Sequence, residues 1–228
     1  MAYIIDVYNV LNADDSKLEY QKNYYRSKAI KVLKAERKFP ACVHYNYESV
    51  VSNNKYVIFF YAENRTLVNT PISGYFCSCY KKEDDKSEET VLYWGKLPYK
   101  SSSSDNYIVV PAIFEYSKHS MERYAERFLK NKSLSLTEIA CRYLSRNSEY
   151  FIPIEQNENI NRKYSKYGED GKILFRVRDG VCATRIKQDC DSIIVIITSF
   201  MNESGMAHSQ IKAMDKQHLD WYKRFCAK

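Results

Sequence analysis

The sequence predicts an α+β protein with a small antiparallel sheet packed by helices in each of two lobes. Three observations predict it. Apolar residues recur at helical spacing in four separate stretches. Short runs rich in Val, Ile, Tyr and Phe, bounded by Asn, Gly and Ser, read as strands. A polar serine run, YKSSSSDN at 99–106, separates the two sets of elements and reads as a linker or a long loop. The boundaries are 1–98 for the first lobe, 99–106 for the linker and 107–228 for the second lobe.

In order, residues 15–38 place Leu18, Tyr25, Ala29, Val32 and Leu33 at helical spacing with Lys and Arg between them, and Pro40 ends the helix. ACVHYNYESVV and KYVIFFYA follow as a hairpin, because Asn53-Asn54 tolerates the positive φ of a tight turn. GYFCSCYKK and ETVLYWGKL complete the first lobe. YIVVPAIFEY then reads as extended. Two helices come next, one starting near Ser117 and one over about 135–147, and the polar stretch 155–171 reads as a loop. KILFRVR, VCATRIK and SIIVIIT are three consecutive strands, and SQIKAMDKQHLDWYKRF closes the chain as a helix.

The 228 residues carry a net charge of +7 and 21 tyrosines, which fits a polyanionic partner without naming one. No apolar run approaches the roughly 18 to 20 residues of a membrane span. MAYIIDVYNVLNADD has no basic region ahead of an apolar one, so no signal peptide is expected. The seven scattered cysteines then read as reduced thiols of a cytoplasmic protein.

The stretch YSKHSMERYAERF places Met121, Tyr124, Ala125, Phe128 and Leu129 on one apolar stripe, with Ser117 as N-cap. Beside the stripe, His119, Arg123 and Arg127 advance about 40° per step and form a narrow cationic row. The first turn of a helix disfavours imidazolium and favours an anion, so a phosphate could meet a near-neutral His119 with two guanidiniums. The plainer alternative is a solvated face paired with Glu122 and Glu126.

Asp179-Gly180 is the strongest hairpin signal in the chain. A two-residue turn there sets Lys172, Arg176, Arg178, Arg185 and Lys187 on one face, and Ile173, Phe175, Val177, Cys182, Thr184 and Ile186 on the core face. Five cations on one face repel one another unless water or a polyanion screens them. The next strand is apolar on both faces, so it is central, and it ends in Thr198-Ser199. Cys42-x-His44 and Cys77-x-Cys79 could assemble a Cys₃His zinc site if their strands adjoin, although such sites usually use turn-borne knuckles and buried thiols are common. No Walker loop, dinucleotide fingerprint or G-x-S-x-G is present. His218 falls on the apolar side of the last helix and reads as a core imidazole; His208 precedes that helix and reads equally as loop or as site.

The order of strand, S-x-H-[AS]-x-x-R-x-x-x-R helix, second helix, basic hairpin and apolar strand ending I-I-T resembles the barnase–EndoU–colicin–RelE nuclease superfamily. The closest likeness is to its phage or mobile-element members and to RelE-like toxins. Ser117, His119, Ser120, Arg123 and Arg127 carry it on the helix, with Arg176, Arg178 and Arg185 on the hairpin, and Ile196, Ile197 and Thr198 on the strand. The likeness spans about residues 107–200, with 155–171 as an insertion. It implies a RelE/barnase-like second lobe and metal-independent RNA cleavage by 2′-hydroxyl attack, with no cofactor. The catalytic set would be His119 as acid or base, Arg123 and Arg176 on the phosphorane, and Thr198 donating to a phosphate oxygen. Arg127, Lys172, Arg178, Arg185 and Lys187 would bind the nucleic acid. RNA, with DNA as the alternative, and a neutralising protein are the implied partners, and no membrane is. The alternatives are a non-catalytic nucleic-acid-binding or inhibitory protein of the same origin, or a protein-interaction module with a basic face.

Overall fold

The computed structural model describes residues 4–80, 88–100, 107–148, 151–154, 172–189, 192–203, 206 and 208–225. Two helices open the chain, α1 (Ile4–Ala13) and α2 (Asp15–Ala35). Five strands follow as an antiparallel meander: β1 (Ala41–Glu48), β2 (Lys55–Ala62), β3 (Ile72–Tyr80), β4 (Glu88–Lys100) and β5 (Tyr107–Tyr116). Helix α3 (Lys118–Tyr124) runs into a π-helical turn (Ala125–Leu129), and α4 (Leu136–Asn147) follows. A short β6 (Ile152–Pro153) precedes β7 (Lys172–Val177), β8 (Gly180–Asp189), β9 (Ser192–Met201) and α5 (His208–Phe225).

Among the described residues the fold is mixed α and β, with five α-helices on one nine-stranded sheet of order β1-β2-β3-β4-β5-β9-β8-β7-β6. All pairs are antiparallel except β5–β9, which is parallel. The two lobes expected to carry separate sheets therefore share one. β4 and β5 pair continuously from Val91↔Tyr116 to Lys100↔Tyr107, so the polar segment between them joins two neighbouring strands of a single sheet. That segment, 101–106, and the loop expected at 155–171 lie outside the described residues. No helix among the described residues is long and apolar enough to cross a membrane.

The sheet has an inner face toward α3 and α4 and an outer face toward α1, α2 and α5. On the inner face Val57, Phe59 and Phe76 from β2 and β3 join Phe175, Val177 and Cys182 from β7 and β8 in one core with Met121, Tyr124, Tyr143 and Leu144. β2 and β7 stand six places apart in the strand order. At about 4.8 Å per strand a flat sheet would hold them about 29 Å apart. One side chain nevertheless bridges the segments that follow them: Arg146 pairs with both Glu63 and Asp179. The sheet must therefore curl around α4, as accumulated strand twist requires.

Local chemistry explains the elements. Leu18, Ala29 and Leu33 of α2 are fully buried, one stripe of an otherwise polar helix. α4 starts in a capping box, with the Ser135 hydroxyl accepting from the Glu138 N–H and the Glu138 carboxylate accepting from the Ser135 N–H. Ser117 caps α3 as expected, accepting from the Ser120 N–H at 3.1 Å. Asn53, in the hairpin between β1 and β2, has φ 55°. Asp14, between α1 and α2, is buried and accepts from Ser49 at 2.7 Å, Ser52 at 2.6 Å and Tyr56 at 2.8 Å. Burial works to raise its carboxyl, and the three hydroxyl donors outweigh it, so the group sits below its ordinary value.

Candidate functional site

Segments far apart in sequence meet at the β7–β8 turn. Val177 pairs with Gly180, so the turn residues are Arg178 and Asp179, one position earlier than the Asp-Gly signal predicts. The reason is packing. Gly180 enters the strand at φ 157°, where a Cβ would stand 2.8 Å from the Phe200 ring. Only glycine lets β8 approach the end of β9 this closely.

Asp179 turns inward. Its carboxylate accepts from Tyr124 Oη at 2.7 Å, from Arg146 Nε and Nη2 at 2.8 Å each, and from Asn147 Nδ2 at 3.0 Å. Its backbone N–H donates to Asn147 Oδ1 at 3.0 Å. The remaining end of Arg146 pairs with Glu63, and its guanidinium lies 5.1 Å from the Phe128 ring centre. The hydrogen bonds that Arg146 donates to Asp179 outweigh desolvation and hold its guanidinium well above its ordinary value. Burial, and then the charge of Asp179, raises Tyr124.

Arg176 leaves β7 from the outer face. Its Nη2 lies 3.1 Å from Glu203, and its Nη1 lies 2.7 Å from Asp215 of α5. That Nη1 is buried and has no aligned hydrogen-bond acceptor: the two charges are close, but the N–H is not aimed at the carboxylate. His218 follows Asp215 by three residues on α5. Burial, and then Arg176, lowers its pKa against the opposing pull of Asp215, so the imidazole is neutral at pH 7.

Between these groups opens a cleft of about 540 Å³, lined by Ser145, Arg146 and Ser148 of the α4 end, by Arg176, Val177 and Arg178, by His218 and by Ile72. Arg178 is exposed and makes no ion pair among the described residues. An anion entering here would meet one uncompensated guanidinium, a second with an unaligned N–H, a serine hydroxyl and an imidazole.

The expected catalytic set does not assemble as one constellation. α3 packs through Met121 and Tyr124 on the inner face, whereas Arg176 projects from the outer face toward α5. His119 is exposed and does not line the cleft. Arg123 pairs with Glu126 at 2.8 Å, and the same carboxylate takes Lys132 at 2.9 Å. Arg127 donates to the Phe200 carbonyl at 2.5 Å, where the π-helical turn has swung it toward β9. Thr198 sits in a bulge of β9 and donates to the Ala183 carbonyl at 3.0 Å. The N–H of Ser117, two residues before His119, does donate to the Ile197 carbonyl, so His119 and Thr198 belong to the same end of the sheet. The five-cation face is also reduced. Arg185 and Lys187 are exposed on the outer face, Arg178 belongs to the turn and Arg176 is ion-paired. Lys172 opens β7 opposite Arg185.

The zinc set fails on sheet geometry. β1 and β3 are separated by β2. Cys42 packs with the inner core, where it adjoins Cys141, while Cys77 is buried in the outer core beside Tyr56. Cys42, His44, Cys77 and Cys79 therefore cannot surround one ion, and burial pushes the Cys77 thiol up to about 12, away from thiolate. Among the described residues no group of three or more His, Cys, Asp or Glu could hold a metal.

No family model matches this chain, and no curated protein and no solved structure does.

Sequence reasoning missed Arg146, Asp179 and His218. Asp179 carries a turn signal that masks its use as a buried carboxylate. Arg146 stands among ordinary helix residues, and its two acidic partners are 33 and 83 positions away. His218 falls beside the apolar residues of α5 and so reads as core, but that flank of the helix borders the cleft. Its spacing from Asp215 is the signal that could have found it.

Proposed function

We propose that this protein is a ribonuclease-like RNA-binding protein that holds a phosphodiester in the cleft at the β7–β8 turn, with His218, in place of His119, as the imidazole beside it. The observation that carries this reading is the lining itself: Arg146, Arg176, Arg178 and His218 border one cavity of about 540 Å³. The run of elements from β5 through α3, α4 and the β7–β8 hairpin to β9 follows the order on which the likeness to the barnase–EndoU–colicin–RelE group rests, and so supports a RelE/barnase-like second half.

In the catalytic form, neutral His218 accepts the 2′-hydroxyl proton as the 2′-oxygen bonds to phosphorus, the bond to the 5′-oxygen breaks, and that oxygen takes a proton from water. Arg178 and Arg176 neutralise the phosphorane, since guanidinium matches phosphate oxygens in pairs. A second reading, binding without cleavage, is favoured by a separate observation. Arg146 and Arg176 are each already met by two carboxylates, as struts would be.

Labelled RNA incubated with the purified chain in EDTA tests the first reading. Products ending in 2′,3′-cyclic phosphate, lost in His218→Ala and kept in His119→Ala, are expected. Intact RNA that still binds leaves the second reading, and RNA that neither binds nor breaks removes both.

A further inference from the structure

Away from the cleft, α2 carries a second concentration of positive charge. Helix α2 buries Leu18, Ala29 and Leu33 against the sheet. On its opposite side lie Lys17, Tyr20, Tyr24, Lys28, Lys31 and Lys34, all exposed. At about 100° per residue these six fall within an arc of about 120°, and Lys17 to Lys34 spans about 25 Å along the axis. Asp15 and Glu19 fall outside the arc. The one ion pair of α2 among the described residues is Lys22–Glu19, off this face. The face therefore holds four lysines and no carboxylate. Solvated helix faces usually alternate charge in i,i+4 pairs, and this one does not.

The tyrosines decide what such a face fits. Tyr20 and Tyr24 are 68% and 69% exposed, successive on the arc and about 6 Å apart in rise. Large rings left this bare on a helix whose apolar stripe is already satisfied are platforms for flat partners. A bilayer would need an apolar face to bury, and that of α2 is against the sheet. An acidic protein would use the lysines and leave the rings idle. A single-stranded nucleic acid uses both, phosphates on lysine and bases on tyrosine.

The face also leads toward the cleft. Beyond Lys34, the Glu36 carbonyl accepts from Arg65 at 2.6 Å and the Pro40 carbonyl from Arg142 at 3.2 Å. Arg142 stands one turn before Arg146, which lines the cavity. We infer that the outer face of α2 is a docking track for single-stranded RNA that delivers the strand to the cleft, and this takes the identity of the polymer from the reading above.

The test is fluorescence anisotropy with the full chain and a labelled 20-nucleotide 2′-O-methyl RNA, which cannot be cleaved through its 2′ position. Three variants are compared: Lys17/Lys28/Lys31/Lys34→Gln, Tyr20/Tyr24→Ser, and Arg178→Gln in the cleft. The quadruple lysine variant is expected to bind at least tenfold more weakly. It should also flatten the salt slope by about 0.7 for each phosphate that is no longer neutralised. The tyrosine variant should lose about tenfold with the slope unchanged, and a duplex of the same sequence should bind more weakly than the single strand. Wild-type affinity in either α2 variant overturns the track. If Arg178→Gln alone then loses binding, the cleft reading survives without it. If the α2 variants lose binding and Arg178→Gln does not, the cleft reading falls and the track stands. Binding to phosphatidylserine vesicles through the same lysines, with no RNA affinity, overturns the inference in favour of a lipid surface.

Discussion

Two arginine- and lysine-rich regions of this molecule behave oppositely. Around the β7–β8 turn, Arg146 and Arg176 are each gripped by carboxylates contributed by distant segments: Glu63 and Asp179 for one, Glu203 and Asp215 for the other. Along α2, four lysines share one face with no acid among them. In the first region Arg146 links the segment after β2 to the β7–β8 turn across the curled sheet. The second leaves its charge exposed, with Lys28 lying over the Tyr45 ring. A cation in a sequence is thus ion-paired or left exposed according to where the acids arrive, and the fold decides that.

The largest expected effect tests the strut. Asp179→Asn removes the charge that Arg146 is buried against, and should cost about 3 to 5 kcal/mol in urea denaturation, because a buried guanidinium is left half-compensated. A loss under about 1 kcal/mol, the range of an exposed pair, would show that the cluster does not hold the two ends of the sheet together. Replacing the α2 lysines with glutamine should leave stability within about 0.5 kcal/mol, as exposed substitutions do.

Next comes the comparison of the two imidazoles. His218→Ala should lower any metal-independent cleavage by about 10² or more, the usual contribution of a general acid or base. His119→Ala should change it less than about threefold, a difference far below that range. A reversed result would return the chemistry to α3.

A pH series sharpens the same contrast. His218 is held below the ordinary histidine value of about 6.5 by burial and Arg176. As pH falls through that value the unfolded chain binds the proton first, so the stability this group contributes is present above it and lost below it. A bound phosphate favours the imidazolium, so affinity for phosphate should rise over the same pH interval, and it should not do so in His218→Ala.

The smallest effect is local. Ser135→Ala removes half of the α4 capping box and should cost about 1 kcal/mol, with RNA affinity unchanged.

Local signals made much of the fold legible. The α2 stripe, the Ser117 and Ser135 caps, the Asn53 turn and the alternation of Ile173, Phe175 and Val177 all act within a few residues of themselves. What escaped was set by long-range pairing. Nothing near the serine run tells that β4 and β5 pair with each other from Val91↔Tyr116 to Lys100↔Tyr107, or that β9, some eighty positions later, docks on the other edge of β5. The row His119, Arg123 and Arg127 was legible as a row. Its meaning was not, since Arg127 is claimed by the Phe200 carbonyl. The Asp179-Gly180 dipeptide announced the hairpin but misplaced its tip by one residue, because the glycine was needed for contact with Phe200.

The single parallel pairing in the sheet sets a condition on biosynthesis. Ala112 to Tyr116 pair with β4 on one side, and on the other they find their partners only at Ile193 to Ile197, roughly eighty positions later. A ribosome-bound chain therefore presents β5 as an open, apolar border while everything up to β9 is still being made, a border that can recruit the wrong neighbour. β9, which carries SIIVIIT, covers that border, so a chain truncated before it is expected to aggregate.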